Sequence, residues 1–69
     1  MKNINYDLLK MLHGTLDSIW RLEKFYVKDA DAAKCHSKGA LQKILEDERV
    51  HAKMLHEEIK ARMNANIFD

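Results

Sequence analysis

The sequence predicts an all-α protein, in which an antiparallel two-helix hairpin dimerises into a four-helix bundle. The 69 residues include no proline and only two glycines, and the common residues Leu, Lys, Glu, Ala and Met favour helices. Apolar residues recur with a period near 3.6 in two separate segments. A chain this short buries only about 60% of its unfolded surface, so residues 1–69 are expected to form one small domain that needs reinforcement.

The first periodic segment predicts a helix, helix A, over residues 5–34. Asn3 or Asn5 is a candidate for its N-cap. Gly14 interrupts the pattern without ending it, because a glycine inside a helix costs only about 1 kcal/mol relative to alanine. The apolar positions at helical spacing are Leu8, Leu9, Leu12, Leu16, Ile19, Leu22, Tyr26 and Ala30.

The second periodic segment predicts helix B over residues 38–64. Ser37 is a candidate for its N-cap, and Asp29 or Asp31 is the alternative if helix B begins earlier. The tail "NANIFD", residues 64–69, is expected to fray. The apolar positions of helix B are Leu41, Ile44, Leu45, Ala52, Leu55 and Ile59.

Charge and hydropathy argue against several classes of function. Twelve basic and 11 acidic residues are mixed along the chain, for a net charge of +1, so no basic stripe is available to bind nucleic acid. No apolar stretch approaches the roughly 20 residues that span a membrane, and the N-terminus lacks the apolar segment of a signal peptide. The lone Cys35 rules out an intrachain disulfide, which leaves a metal or self-association to reinforce the core. We expect a soluble, cytoplasmic protein.

Three polar residues fall on the predicted apolar sides of the helices. At about 100° per residue, Glu48 and His51 lie on the same side of helix B as Ile44 and Leu55, whereas most charges of that helix lie opposite. On helix A, Glu23 is the one acidic residue near the centre of the apolar stripe. These three residues are therefore the candidates for a buried polar site.

This arrangement points to a metal ion. If the chain turns at Cys35 and His36, Glu23 faces Glu48. Two ionised carboxylates in a core need compensation, because each buried charge is costly and like charges add to that cost. A neighbouring His51 favours a metal over a shared proton, and imidazole with carboxylate suits iron, manganese or zinc. A two-fold dimer doubles the set to the four carboxylates and two imidazoles of a carboxylate-bridged dinuclear site.

The segment "LQKILEDERVHAKMLHEEI", residues 41–59, resembles the ligand helix of the ferritin-like superfamily, most of all its rubrerythrin branch and the half-bundle encapsulated ferritins. It shares their acid-rich approach, the Glu-x-x-His unit, a small residue and Met-Leu. On helix A, "LDSIWRLEKFY" is similar in having an inward acid followed by aromatics. The resemblance implies that Glu48 bridges two iron ions, that Glu23 and His51 are terminal ligands, that Tyr26 supplies a nearby hydroxyl, and that Fe(II) is oxidised by oxygen or peroxide.

The chain also departs from that family's pattern. A usual ferritin-like chain carries four helices and this one has two, so we expect a homodimer or a larger even homo-oligomer. The interval from Glu23 to Glu48 is about one helical turn shorter than the family's, and Asp17 would restore a more familiar interval but faces solvent by periodicity. No encapsulin-targeting tail is recognisable in the last six residues, so an encapsulin shell as a partner is left open.

Two hypotheses for the function follow. In the first, the chain is a di-iron protein with ferroxidase or oxygen- or peroxide-linked oxidoreductase activity at a homodimer interface, with no catalytic residue assigned. In the second, it is a small helical dimerisation module without metal, and its inward polar groups share protons and fix the register. Cys35 and His36 at the turn lack the further ligands that a tetrahedral zinc site needs.

Overall fold

The computed structural model describes all 69 residues, of which 84% are helical, and it contains no strand. The prediction of an all-α protein with two helical segments is therefore confirmed. None of the helices has an apolar stretch long enough to cross a membrane. The elements, in chain order, are α1 (Asn3–Arg21), a π-helical turn (Leu22–Tyr26) that continues it, α2 (Val27–Ala32) and α3 (Ser37–Asn64).

The helix ends differ from the predicted caps. The N-cap of α1 is Lys2 and that of α3 is His36, and neither makes a side-chain capping hydrogen bond. Asn3 and Ser37 each lie one residue inside a helix, and the side chain of Asn5 is engaged elsewhere. The predictions of these three residues as caps were therefore wrong.

The connection between α2 and α3 is closed by its own backbone. Lys34 has a φ of 53°, in the left-handed region, and the Cys35 N–H donates to the Ala30 carbonyl at 2.9 Å. This left-handed residue with a bond back into the last turn is a common way to end a helix. Across the connection, Lys38 Nζ lies 2.8 Å from a carboxylate oxygen of Asp31.

The core between the two segments is small. Two polar residues of α1, Asn5 and Thr15, are buried with it. Because so few side chains are buried, much of the apolar surface of both segments is left uncovered. The buried apolar residues are Leu22, Ala30, Leu45 and Ile59.

The predicted apolar stripes have the right period but the wrong direction. On α1, buried Thr15 and Leu22 define a contact line about 50° from Ile19, which the pattern places at the centre. On α3, Leu45 is buried whereas Ile44, about 100° away around the helix, is 49% exposed. Residues predicted to lie at the centre of the interface therefore lie at its edge.

The last residues are held against the start of α1. Asn5 is fully buried, and its Nδ2 donates to the carbonyls of Ile67 and Asp69 at 3.0 and 3.2 Å. Its Oδ1 accepts from Arg62 Nε at 2.6 Å, and the Lys2 N–H donates to the Asp69 carbonyl at 2.7 Å. The prediction of a frayed tail was wrong, because one buried amide satisfies carbonyls that would otherwise need water.

Candidate functional site

Glu48 and His51 are the two predicted site residues that contact each other. His51 Nδ1 lies 2.9 Å from Glu48 Oε1. An ionised carboxylate can only accept, so Nδ1–H donates and, in the neutral ring, Nε2 keeps its lone pair. The Glu48 side chain is 22% exposed and that of His51 54%. The pair therefore lies at the edge of the helix contact, with the carboxylate inside and the ring reaching outward.

The surroundings of Glu48 on α1 include two short polar side chains as well as the basic Lys10 and Arg21. Glu48 lines one concavity together with Thr15 and Ser18, and an adjoining groove with Ser18 and Leu22. Thr15 is buried and Ser18 half-buried. Thr15 and Ser18 are short and leave space beside the Glu48 carboxylate. Both precede Glu23 in the chain.

The structure does not bring Glu23 to this pair. Glu23 Oε1 instead accepts from Arg49 Nη2 at 3.0 Å, and both side chains are largely exposed. Arg49 follows Glu48 by one residue and leaves α3 about 100° away from it. The expected facing of Glu23 and Glu48 within one chain was therefore wrong, because the contact line runs through Leu22. No group of three or more His, Cys, Asp or Glu side chains is placed to hold a metal in a single chain.

The π-helical turn changes the placement of Glu23 and Tyr26, both of which lie in it. A π turn takes more residues than the 3.6 of an α-helix, so the regular periodicity misplaces what lies within and after it; such turns are frequent at functional sites. Tyr26 lines the same groove as Glu48 and Ile44. Tyr26, rather than Glu23, is thus the predicted helix A residue that shares a groove with Glu48. No glycine or proline marks this turn in the sequence.

Asp17, the alternative ligand on helix A, is engaged by its own helix. Its carboxylate accepts from Arg21 Nε at 2.9 Å. This hydrogen bond and the charge of Asp17 raise the pKa of the Arg21 guanidinium, with Tyr26 as a further cause. Both side chains of the pair are half-exposed. Asp17 is therefore placed as the partner of an exposed ion pair.

The Glu48–His51 pair places two possible metal donors side by side. Their 2.9 Å separation is that of an ordinary N–H···O hydrogen bond, and it is also near the spacing of two donors at a right angle in an octahedral site with metal bonds of about 2.1 Å. Carboxylate with imidazole is a donor set that iron, manganese and zinc accept. The metal would replace the proton that the two groups share. Two protein donors do not complete a site, so further donors have to come from outside this pair.

An apolar groove of about 350 Å³ adjoins His51 on the same face. The methionines at its sides are 62% (Met11) and 63% (Met54) exposed. The spacing of the methionines in the sequence gave no signal for this groove. The residues that line the groove are Leu8, Met11, His51, Met54, Leu55 and Glu58.

The chain exposes more surface than a compact monomer of its size. Its accessible surface is 5243 Å², whereas a folded monomer of 8.1 kDa is expected to expose about 4,500 Å². The excess, roughly 700 Å², goes with the elongated shape of the chain, whose principal extents are 49 × 16 × 14 Å. Met11, Ile44 and Met54 are among the exposed apolar residues in the grooves that Glu48 or His51 also lines.

Comparison with known proteins finds no matching family model, no similar curated protein and no similar solved structure. The resemblance to the ferritin-like superfamily therefore stays a prediction from two segments of the sequence, residues 41–59 and 16–26.

Proposed function

We propose that the chain is an antiparallel helical hairpin whose copies pair into a four-helix bundle with a metal site at their interface. One observation carries this proposal: the Glu48–His51 pair, 2.9 Å apart, lies in an apolar face that a single chain leaves uncovered. A two-fold axis on that face would bring two such pairs together. Glu-x-x-His from each of two helices is the larger part of the ligand set of dinuclear carboxylate bundles.

Glu23 is proposed as the ligand that completes this set, because such bundles also use one glutamate from each of the other two helices. This role requires Glu23 to leave Arg49. The contact is exposed, and exposed ion pairs contribute only about 0–1 kcal/mol, so metal binding can offset its loss. Tyr26, which shares a groove with Glu48, would donate a hydrogen bond from its hydroxyl to a ligand carboxylate.

Iron is the proposed metal, with manganese and zinc as alternatives for the same donors. Bound iron would supply one-electron chemistry with oxygen or peroxide, which is the basis of the proposed ferroxidase-like activity. The chain's own part is to give up the proton shared by Glu48 and His51 and to exclude water with Met11 and Ile44. The proposed setting is the reducing cytoplasm, where the lone Cys35 stays a thiol.

The test is anaerobic loading of the full chain with Fe(II), followed by quantification of bound iron. We expect about one iron per chain and a near-ultraviolet absorption band on exposure to air. Glu48→Gln should lose the iron, while Glu46→Gln, which changes an exposed glutamate two residues away on α3, should keep it. Absence of stoichiometric iron, or equal iron in the two variants, would overturn the proposal.

A second candidate function is a dimerisation module without metal. The observation that favours it is that both carboxylates in question are already paired, Glu23 with Arg49 and Glu48 with His51. These pairs would then fix the register of the assembly, as polar groups at helix interfaces do in some systems. This function predicts that a strong chelator leaves the dimer mass unchanged and that no added metal raises the thermal stability.

A further inference from the structure

The apolar groove beside His51 carries a second set of donors. Met11 on α1 and Met54 on α3, each of which carries a thioether sulfur, line it together with His51. His51 and Met54 are one helical turn apart and so lie on the same side of α3. All three side chains are half or more exposed, so none is fixed by core packing. We propose that Met11, His51 and Met54 form a binding site for Cu(I).

The chemistry of these donors selects the ion. Thioethers with an imidazole are soft ligands, which favour Cu(I), whereas carboxylates and carbonyls suit hard ions. The three donors are neutral when the His51 ring carries only its Nδ1 proton, so the bound ion keeps its single positive charge. Glu58 lines the same groove and would supply the one negative charge that balances it.

The hydrogen bond from His51 Nδ1 to Glu48 prepares the ring for this role. A ligating histidine usually donates its other ring N–H to a carboxylate or carbonyl, which fixes the tautomer and raises the basicity of the ligating nitrogen. Here the 2.9 Å contact with Glu48 leaves Nε2 as the donor atom for copper. The site needs only one chain and keeps the proton on Nδ1, so it does not rest on the proposed iron function.

The experiment measures Cu(I) affinity anaerobically, by competition with bicinchoninate in the presence of ascorbate. The full chain is used with Cys35→Ser, because a thiolate would bind Cu(I) on its own. We expect one Cu(I) per chain, with affinity lowered at least about tenfold in Met11→Leu and in Met54→Leu. Leucine keeps the volume, so folding is retained.

Met63→Leu is the matched control, since Met63 is an exposed methionine of α3 outside the groove; its affinity should be unchanged. Loss of all binding on Cys35→Ser, unchanged affinity in the Met11 and Met54 variants, or an equal loss in Met63→Leu would each overturn the proposal.

Glu48→Gln separates this site from the proposed iron site. A glutamine oxygen still accepts the Nδ1–H, so Cu(I) affinity should stay within about threefold, less than the loss expected when the partner of a ligating histidine is removed. Iron binding should be lost in the same variant. Conversely, Met54→Leu, which changes a residue with no part in the proposed iron site, should keep iron. Loss of Cu(I) and iron together in Glu48→Gln would contradict a separate copper site.

Discussion

The molecule has two polar clusters, one around Asn5 near the chain ends and one formed by Glu48 and His51 on α3. They differ in how many of their hydrogen-bonding atoms have a partner. Asn5 is fully buried and makes three hydrogen bonds, to Arg62 and to the carbonyls of Ile67 and Asp69. Both donors of its amide are used. The Glu48–His51 contact is a single hydrogen bond at the edge of the core, which leaves free lone pairs beside exposed apolar residues.

This difference distinguishes a polar group that serves folding from one available to a ligand. The Asn5 cluster pairs the backbone carbonyls of Ile67 and Asp69, which lie beyond the end of α3 and would otherwise be left to water. The pair on α3 is not needed for any backbone group. We therefore expect changes in the first cluster to act on stability and changes in the second to act on binding.

The largest expected effect is on stability, from Asn5→Ala. The substitution leaves the Arg62 guanidinium and two carbonyls without their partner, and should lower the free energy of unfolding by about 2–3 kcal/mol. Urea denaturation at a fixed chain concentration measures it. Asn3→Ala, at an exposed position of the same helix, should change stability by less than about 0.5 kcal/mol. Equal effects in the two variants would mean that the hydrogen bonds of Asn5 do not stabilise the fold.

The next effect is on assembly, from Ile44→Asp. Ile44 lies beside Glu48 in the same groove and is half-exposed, so a charge there would be buried in the proposed dimer and should weaken dimerisation by at least about 30-fold. Analytical ultracentrifugation measures this. Val50→Asp, about 160° from Glu48 around α3, should leave the dimer intact.

The opposite outcome would assign the dimer interface to another face. Trp20 is also half-exposed and packs edge-on against Phe25, with ring centroids 5.3 Å apart. Neither residue lines a groove with Glu48 or His51. A dimer that dissociates in Trp20→Asp and persists in Ile44→Asp would place the interface away from the proposed metal site.

A smaller effect is expected from Arg49→Gln. The variant releases Glu23 from its ion pair, which should change the free energy of unfolding by less than about 1 kcal/mol, since both side chains are exposed. If Glu23 is a metal ligand, the affinity for Fe(II) should rise by about twofold to fivefold. Lys53→Gln, one helical turn further along α3, is the control for the change in charge. An unchanged affinity would remove Glu23 from the ligand set.

The smallest effect concerns pH at the chain ends. The Lys2 ammonium, by its hydrogen bond and charge, lowers the pKa of the Asp69 carboxyl below its ordinary value of 3.8. This contact therefore contributes stability above that value, and the contribution is lost as pH falls through the lowered pKa. NMR chemical shifts of residues 67–69 should report the loosening below pH 3.8. Asp69→Asn should abolish this pH dependence.

The period of the sequence predicted the helices closely, because helix formation follows local propensity and spacing. The direction in which each helix faces its neighbour was predicted wrongly. Leu16 and Ile44 widen the apolar stripe although they are about half-exposed in one chain, so surface left for a further partner shifts the apparent centre of the stripe. The burial of Asn5 depends on a contact with the far end of the chain, which local spacing does not encode.

The candidate site likewise has one part that the sequence predicts and one part that it does not. The Glu48–His51 contact follows from i,i+3 spacing on one helix, which the sequence displays directly. The position of Glu23 depends on the register between the helices and on a π turn that no glycine or proline marks. Its pairing with Arg49 could have been anticipated only as one of several exposed ion pairs.

Native mass spectrometry of the anaerobically iron-loaded chain tests the central claim most directly, because it reports assembly and metal content of the same particle. We expect an even-numbered assembly with about two iron ions per pair of chains. Glu48→Gln should give the same assembly without iron. Iron on single chains, an assembly that never retains iron, or iron retained in Glu48→Gln would contradict a metal site built at the interface from Glu48 and His51.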